Sequence, residues 1–263
     1  MKKFFALLLA LAMILALSAC GEKQQEPSNE GDEQDNTPAQ TFNFKVSITQ
    51  ASTDPLATYT QQWMDEVTEK TNGAVTFEFH PNGELGTIND VCEQISRGAS
   101  IIAYAGPDAF MATAPDLAIL NSQYCLTDAS QIDLINDSDW FKGQVDNLAA
   151  NGNARILSWN YFTGYRHILS KTPINTPDDM NGVQIRVADS AAAIAFVKAL
   201  GASPVVTNWN EVYSSLSTNI VSAAEAPLAT LYSSSLQEVA KYCTLTGVVP
   251  CKCSRKIPKN LLN

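Results

Sequence analysis

Residues 183–206 read VQIRVADSAAAIAFVKALGASPVV, and their reading decides the fold. Val183 to Val187 is a short run of β formers around one arginine. Ser190 to Leu200 is an alanine-rich helical run, and Gly201 is its stop. Pro204 to Val206 returns to strand character. A helix between two strands is too long for a hairpin and serves as the crossover of a parallel pair. Just upstream, Thr176-Pro177-Asp178-Asp179 predicts a capped first turn, with two acids at the positive end of a helix.

The same alternation continues outward. Phe42 to Thr49 alternates apolar and polar residues as a strand does. Asp54-Pro55 predicts an N-cap followed by proline at the first helical position, opening a helix to about Lys70 with Trp63, Met64 and Val67 on its apolar side. Thr71-Asn72-Gly73 stops it. Val75 to His80 is a strand, Pro81-Asn82-Gly83 a turn, Asn89 to Arg97 a helix stopped by Gly98, and Ile101 to Ala105 a short buried strand. Further on, the pattern predicts a helix with a weak interior over 128–150, and strands over Arg155–Trp159 and Tyr165–Leu169. A helix capped by Asn210 runs to about Leu216, Ile220–Ala223 is a strand, and Pro227 opens another helix. Such alternation indicates an α/β architecture with largely parallel sheets.

Composition narrows the function. The 263 residues carry 17 basic and 27 acidic side chains, a net charge of −10, which argues against nucleic acid as a partner. Lys2 and Lys3 precede an apolar run from Phe4 to Leu17 that is too short for a comfortable membrane span. It ends in Leu17-Ser18-Ala19-Cys20, which resembles a bacterial lipobox. That resemblance implies a signal peptide over 1–19, cleavage before Cys20, and lipid attached to its sulfur as a membrane anchor. Residues 20–41 have almost no apolar side chains and six acids against one lysine, the composition of a solvated tether. The expected folded part, residues 42–263, carries a net −7.

Motifs for catalysis are absent from the sequence. It has two histidines, His80 and His167, neither in an H-E-x-x-H pattern, and no G-x-S-x-G, phosphate-loop or dinucleotide fingerprint. Asp178 and Asp179 read as dipole partners rather than a catalytic pair. Cys92, Cys125 and Cys243 read as core residues, and Cys251-x-Cys253 is too small a thiol set for a metal site. No metal and no cofactor are expected. In open parallel sheets, ligands bind beyond the carboxyl ends of strands, which singles out Gln50, Tyr104, Arg166, Arg186, Trp209 and Glu225.

Pro173 to Leu245 contains a dense, ordered series: Thr176-Pro177-Asp178-Asp179-Met180-Asn181-Gly182, Ile185-Arg186-Val187, Lys198-Ala199-Leu200-Gly201-Ala202, Glu225-Ala226-Pro227, and Glu238-Val239-Ala240-Lys241-Tyr242. With Phe79-His80-Pro81-Asn82-Gly83-Glu84-Leu85-Gly86, it resembles the solute-binding proteins of tripartite ATP-independent periplasmic (TRAP) transporters, the C4-dicarboxylate-binding type. The resemblance implies a two-domain periplasmic-binding-protein-like fold of type II, with domains over 42–163 and 164–249 and a ligand cleft between them. It implies a small organic-acid ligand, TRAP permease membrane subunits as partners, and no enzymatic activity. It assigns Arg186 to the ligand carboxylate, for which a guanidinium offers a charged two-donor fork. The other reading of Arg186 is an ion pair with an acid such as Asp189. Arg166 assists or is scaffold, Trp209 covers the ligand or packs between domains, and Glu225 orients an arginine. Gln50 and Tyr104 are strand-end candidates.

Two departures from the resembling family stand out. Ala224-Glu225-Ala226-Pro227 lacks the amide that many members place before the proline. Residues 250–263 are atypical, with four basic residues and no acid, and read as a truncation that leaves the family's C-terminal helices missing and sheet faces exposed. A ligand sensor facing a membrane receptor, or a non-functional fragment, fits the same features.

Overall fold

The computed structural model describes residues 40–248 and 250–258. The expected leader, Cys20 and most of the tether lie outside the described residues, as do the side chains of Cys251 and Cys253.

The first half is built as its sequence predicts. β1 (Phe42–Ser47), β2 (Val75–His80) and β3 (Ile101–Ala105) form a parallel set with β1 in the middle. The helix α1 (Pro55–Lys70) carries β1 across to β2, and α2 (Ile88–Ser96) carries β2 to β3. Asp54 caps α1 by accepting from the Leu56 amide at 2.9 Å. Thr87 and Asp90 form a reciprocal capping box on α2.

The helical stretch after residue 128 divides at Ser138 into α3 (Gln131–Asp137) and α4 (Asp139–Asn151). Ser138 is extended and its hydroxyl accepts from the Phe141 amide, so it starts a new helix where the pattern predicted only a weak interior. The two strands expected next are one: β4 (Ala154–Ser170) runs 17 residues without a loop. Three register shifts and the positive φ of Gly164 absorb the irregularity that the sequence presents as a break.

The second half repeats the crossover logic. β5 (Gln184–Val187), α5 (Ala191–Ala199) and β6 (Ser203–Val206) follow the expected positions, and β5 pairs with β6 in parallel. Trp209–Glu211 forms a 3-10 turn before α6 (Val212–Ser217). The following strand is displaced from the expected one: β7 is Ala223–Pro227, and Ile220 is exposed. Chain reversal at Asn219, with φ at +62°, consumes the residues whose β propensity marked the strand, and small buried alanines form it instead. α7 (Leu228–Ser233) and β8 (Tyr242–Thr244) follow, then β9 (Pro250–Pro258).

The strands order as β2-β1-β3-β9-β4-β7-β5-β6, with β8 also on β4. The sheet is mixed rather than largely parallel: β4 is antiparallel to β7, β8 and β9, and β3 is antiparallel to β9. Residues 250–258 of the atypical segment thus form a strand between β3 and β4. Buried apolar residues gather in four clusters. Two use side chains up to Tyr161, including Val46, Leu56, Ile95 and Leu148. Two use side chains from Ile168 onward, including Ile185, Val197, Leu216 and Leu236. The molecule therefore has two lobes, and β4 passes from one to the other. No described helix is long and apolar enough to cross a membrane.

Gly201, the stop of α5, has φ of +75°, and an added Cβ would clash with the Asn181 side chain, whose Nδ2 donates to Asp178 O at 2.9 Å. Gly182 has a similar φ and open space around it. Gly201→Ala is therefore expected to lose roughly 1–3 kcal/mol in urea unfolding, and Gly182→Ala less, since only its backbone is strained.

Candidate solute-binding site

Arg186 sits third in β5, between β6 and β7. Its neighbours Ile185 and Val187 point to the opposite face and are fully buried in a core cluster. Arg186 itself is only 4% exposed. Its Nε donates to Thr207 O at 2.9 Å, and its guanidinium carbon lies 5.0 Å from the Trp209 ring centre. Among the described residues no carboxylate lies within ion-pair distance of it, and its Nη atoms have no hydrogen-bond acceptor. Asp189, the alternative partner, instead accepts from Asn89 Nδ2 at 3.0 Å. Burial pushes the Arg186 pKa down to about 10, with Glu225 opposing and Arg166 adding to the fall. The folded state therefore carries the cost of a buried charge up to about pH 10, and relief begins only above that. At neutral pH the group is a cation whose outer donors are unused.

Arg166, on β4, grips Glu225, on β7. Its Nε and Nη2 reach the two carboxylate oxygens at 2.5 and 2.7 Å, and Nη2 also donates to Glu225 O at 2.9 Å. The antiparallel register pairs Ile168 with Glu225 and Arg166 with Pro227, so the two side chains are diagonal neighbours on adjacent strands. The Arg166 side chain is 19% exposed and that of Glu225 8%. Trp209 follows β6, and its Nε1 donates to Ser234 Oγ at 3.1 Å. Trp209 thus lies on Arg186, while the Arg166–Glu225 pair on the neighbouring strands is near enough for both of its charges to act on Arg186.

Residues 46–253 match the family described as bacterial extracellular solute-binding protein, family 7. The chain belongs to this family. It is a family of solute-binding proteins, not of enzymes. The C4-dicarboxylate-binding periplasmic protein of Rhodobacter capsulatus is 29% identical over 189 residues, 70% of this chain and 55% of its own. The sialic acid-binding periplasmic protein of Vibrio cholerae is 28% identical over 69% of this chain and 56% of its own. This chain spans just over half the length of the curated relatives it matches. A TRAP periplasmic solute-binding protein of Actinobacillus succinogenes, solved with bound L-galactonate, superposes with a TM-score of 0.80 at 29% identity, covering 84% of this chain and 74% of that one.

Other residues of this family 7 protein fall into place around the arginines or away from them. Tyr104 lies inside β3 rather than beyond it, is buried, and packs edge-on against Tyr161 in a core cluster. Gln50 follows β1, and its carbonyl accepts from the Asn82 amide at 2.8 Å. Neither is brought to Arg186 by any described contact. Glu225 lies within β7 rather than after a strand, because β7 is displaced. His167 turns away from the site: its Nδ1 accepts from the Gly247 amide at 3.1 Å, and burial lowers its pKa. His80 lies beside Glu84 at 3.3 Å. Asp179 accepts from the amides of Asn175 and Thr176, which lower its pKa, so it holds its turn rather than serving chemistry. Cys92 is buried as expected, but Cys125 and Cys243 are exposed, because each lies in a short connecting or edge segment. A groove of about 480 Å³ lined by Phe141, Ile156 and Trp159 shares no residue with the arginine site. The Thr207 carbonyl and Ser234 hydroxyl were not legible in sequence, since a backbone oxygen and a surface-type residue carry no signal of their own.

Glu225 faces one arginine directly and offsets the charge of the other. Glu225→Ala should lower stability by roughly 2–4 kcal/mol, because two cations lose their counter-charge. Urea unfolding at pH 7, where Arg186 is a cation, should show this loss.

Proposed function

We propose that this protein captures a small organic acid through Arg186 and delivers it to the membrane subunits of a TRAP-type transporter. The observation that carries the reading is the buried Arg186 cation with unused outer donors beside an indole face. A carboxylate supplies two acceptors in the plane of that fork and neutralises a charge already removed from water. In this reading Glu225 holds Arg166 close enough to add positive potential without occupying Arg186. Lobes over 42–163 and 164–249 close on the ligand. The relatives support the ligand class: one binds C4-dicarboxylates by name, and a solved one holds L-galactonate.

Calorimetry with a panel of dicarboxylates and sugar acids tests the reading. Arg186→Ala should weaken binding of whichever acid the unaltered chain takes by at least a hundredfold, the cost of removing one desolvated charge partner. Unchanged affinity sinks the assignment.

We further propose that the protein is exported and tethered to the membrane through lipid on Cys20, with residues 21–41 as a spacer. The Leu17-Ser18-Ala19-Cys20 sequence after an apolar run supports this. Two acyl chains give stable anchoring where one is marginal. Cys20→Ser should move the protein from the membrane fraction to the soluble one; retention in the membrane fraction removes the basis for the anchor.

A further inference from the structure

α7 ends in three consecutive serines, and each does something different. Ser233 Oγ lies 2.9 Å from Asp54 Oδ2 and 3.2 Å from Thr230 O; the charged carboxylate is the nearer and stronger acceptor for its proton. Ser233 O also accepts from Thr53 Oγ1 at 3.3 Å. Ser234 Oγ accepts from Trp209 Nε1 at 3.1 Å. Ser235 takes the left-handed region, with φ at +56°, and ends the helix.

The partners of these serines lie in different lobes. Asp54 is 3% exposed and belongs to the first lobe, where its other oxygen caps α1. Trp209 belongs to the second and lies under Arg186. Two adjacent side chains on one rigid helix end therefore hold the first lobe on one side and the aromatic floor of the arginine site on the other. A shift of Asp54 relative to α7 must be taken up by Ser233, and Ser234 moves with it.

We infer that Ser233 and Ser234 are positioning residues that couple the placement of the first lobe to the stacking of Trp209 on Arg186. The inference rests on the reading of Arg186 as the anion site. Neither serine need touch the solute. When the lobes are apart, the bond to Asp54 is lost, the indole loses its fixed position, and the guanidinium loses its floor. When they are together, both bonds hold and Arg186 presents its outer donors in one orientation. The solute is then bound tightly only by the closed form.

The test reads Trp209 directly in the full chain, as the tryptophan emission of each protein minus that of its Trp209→Phe counterpart. Ser234→Ala removes the indole bond and sets the size of the response. Ser233→Ala, which does not touch Trp209, should shift the same emission to the red in the solute-free chain. Ser233→Thr, which keeps the hydroxyl, should restore it. L-Galactonate, or the panel acid that the unaltered chain binds, should dissociate from Ser233→Ala roughly 5–10 times faster, the scale of one hydrogen bond. An unchanged Trp209 emission in Ser233→Ala overturns the coupling. The two readings fail separately: undiminished binding by Arg186→Ala would sink the anion site without altering the emission result.

Discussion

A guanidinium taken out of water, with no carboxylate among the described residues within ion-pair distance, is the constraint around which the second lobe is arranged. An isolated buried charge is among the most expensive features a protein can hold. Arg186 is supported at its inner nitrogen by a backbone carbonyl and across its face by an indole, leaving only its outer edge unsatisfied. The acid that could have neutralised it, Glu225, is held by Arg166 through both carboxylate oxygens. One arginine occupies the counter-charge so that the other remains available. This division of labour depends on β4 and β7 being antiparallel neighbours in a register that places the two side chains diagonally.

The choice of residues in β7 follows from that need. All five of its residues are buried, and three of them are alanine. Ala224 pairs with Arg186, and Ala224 and Ala226 pack in the cluster against which Trp209 rests, so larger side chains there would crowd the arginine and its indole. The same economy hid the strand in sequence. Ile220 and Val221 carry the β propensity, but Asn219 turns the chain there, and the ladder forms on small residues further on. Propensity reports how a side chain fits a half-buried pleat, and β7 is a strand selected for room instead.

Where local chemistry dictates structure, the sequence was readable. The Asp54-Pro55 start of α1, the strands 75–80 and 101–105, and the glycine stop of α5 have local causes, and each lies where expected. Arg186, Arg166, Trp209 and Glu225 are candidates from their places near strand ends and from the family resemblance, and the fold joins them in pairs, Trp209 on Arg186 and Glu225 on Arg166. What resisted reading was non-local. The continuity of β4 depends on partners on both sides, the break at Ser138 on a cap that competes with helix propagation, and the antiparallel pairs on segments nearly a hundred residues apart. Tyr104, chosen as a strand-end residue, lies inside β3 and is buried, with its ring edge-on to Tyr161.

The position of β9 bears on how the chain reaches its structure. β3 and β4 lie on either side of β9, which pairs with Tyr104 through Arg255 and with Arg155 through Ile257. Both flanking strands precede the strand that joins them by many residues in the chain. Until then each presents an unpaired edge, open to a second copy of the chain as much as to β9. Closing the sheet joins segments far apart in sequence, which is a slow step. The interval between the folding of β4 and the docking of β9 is thus when the chain's edges most need protection.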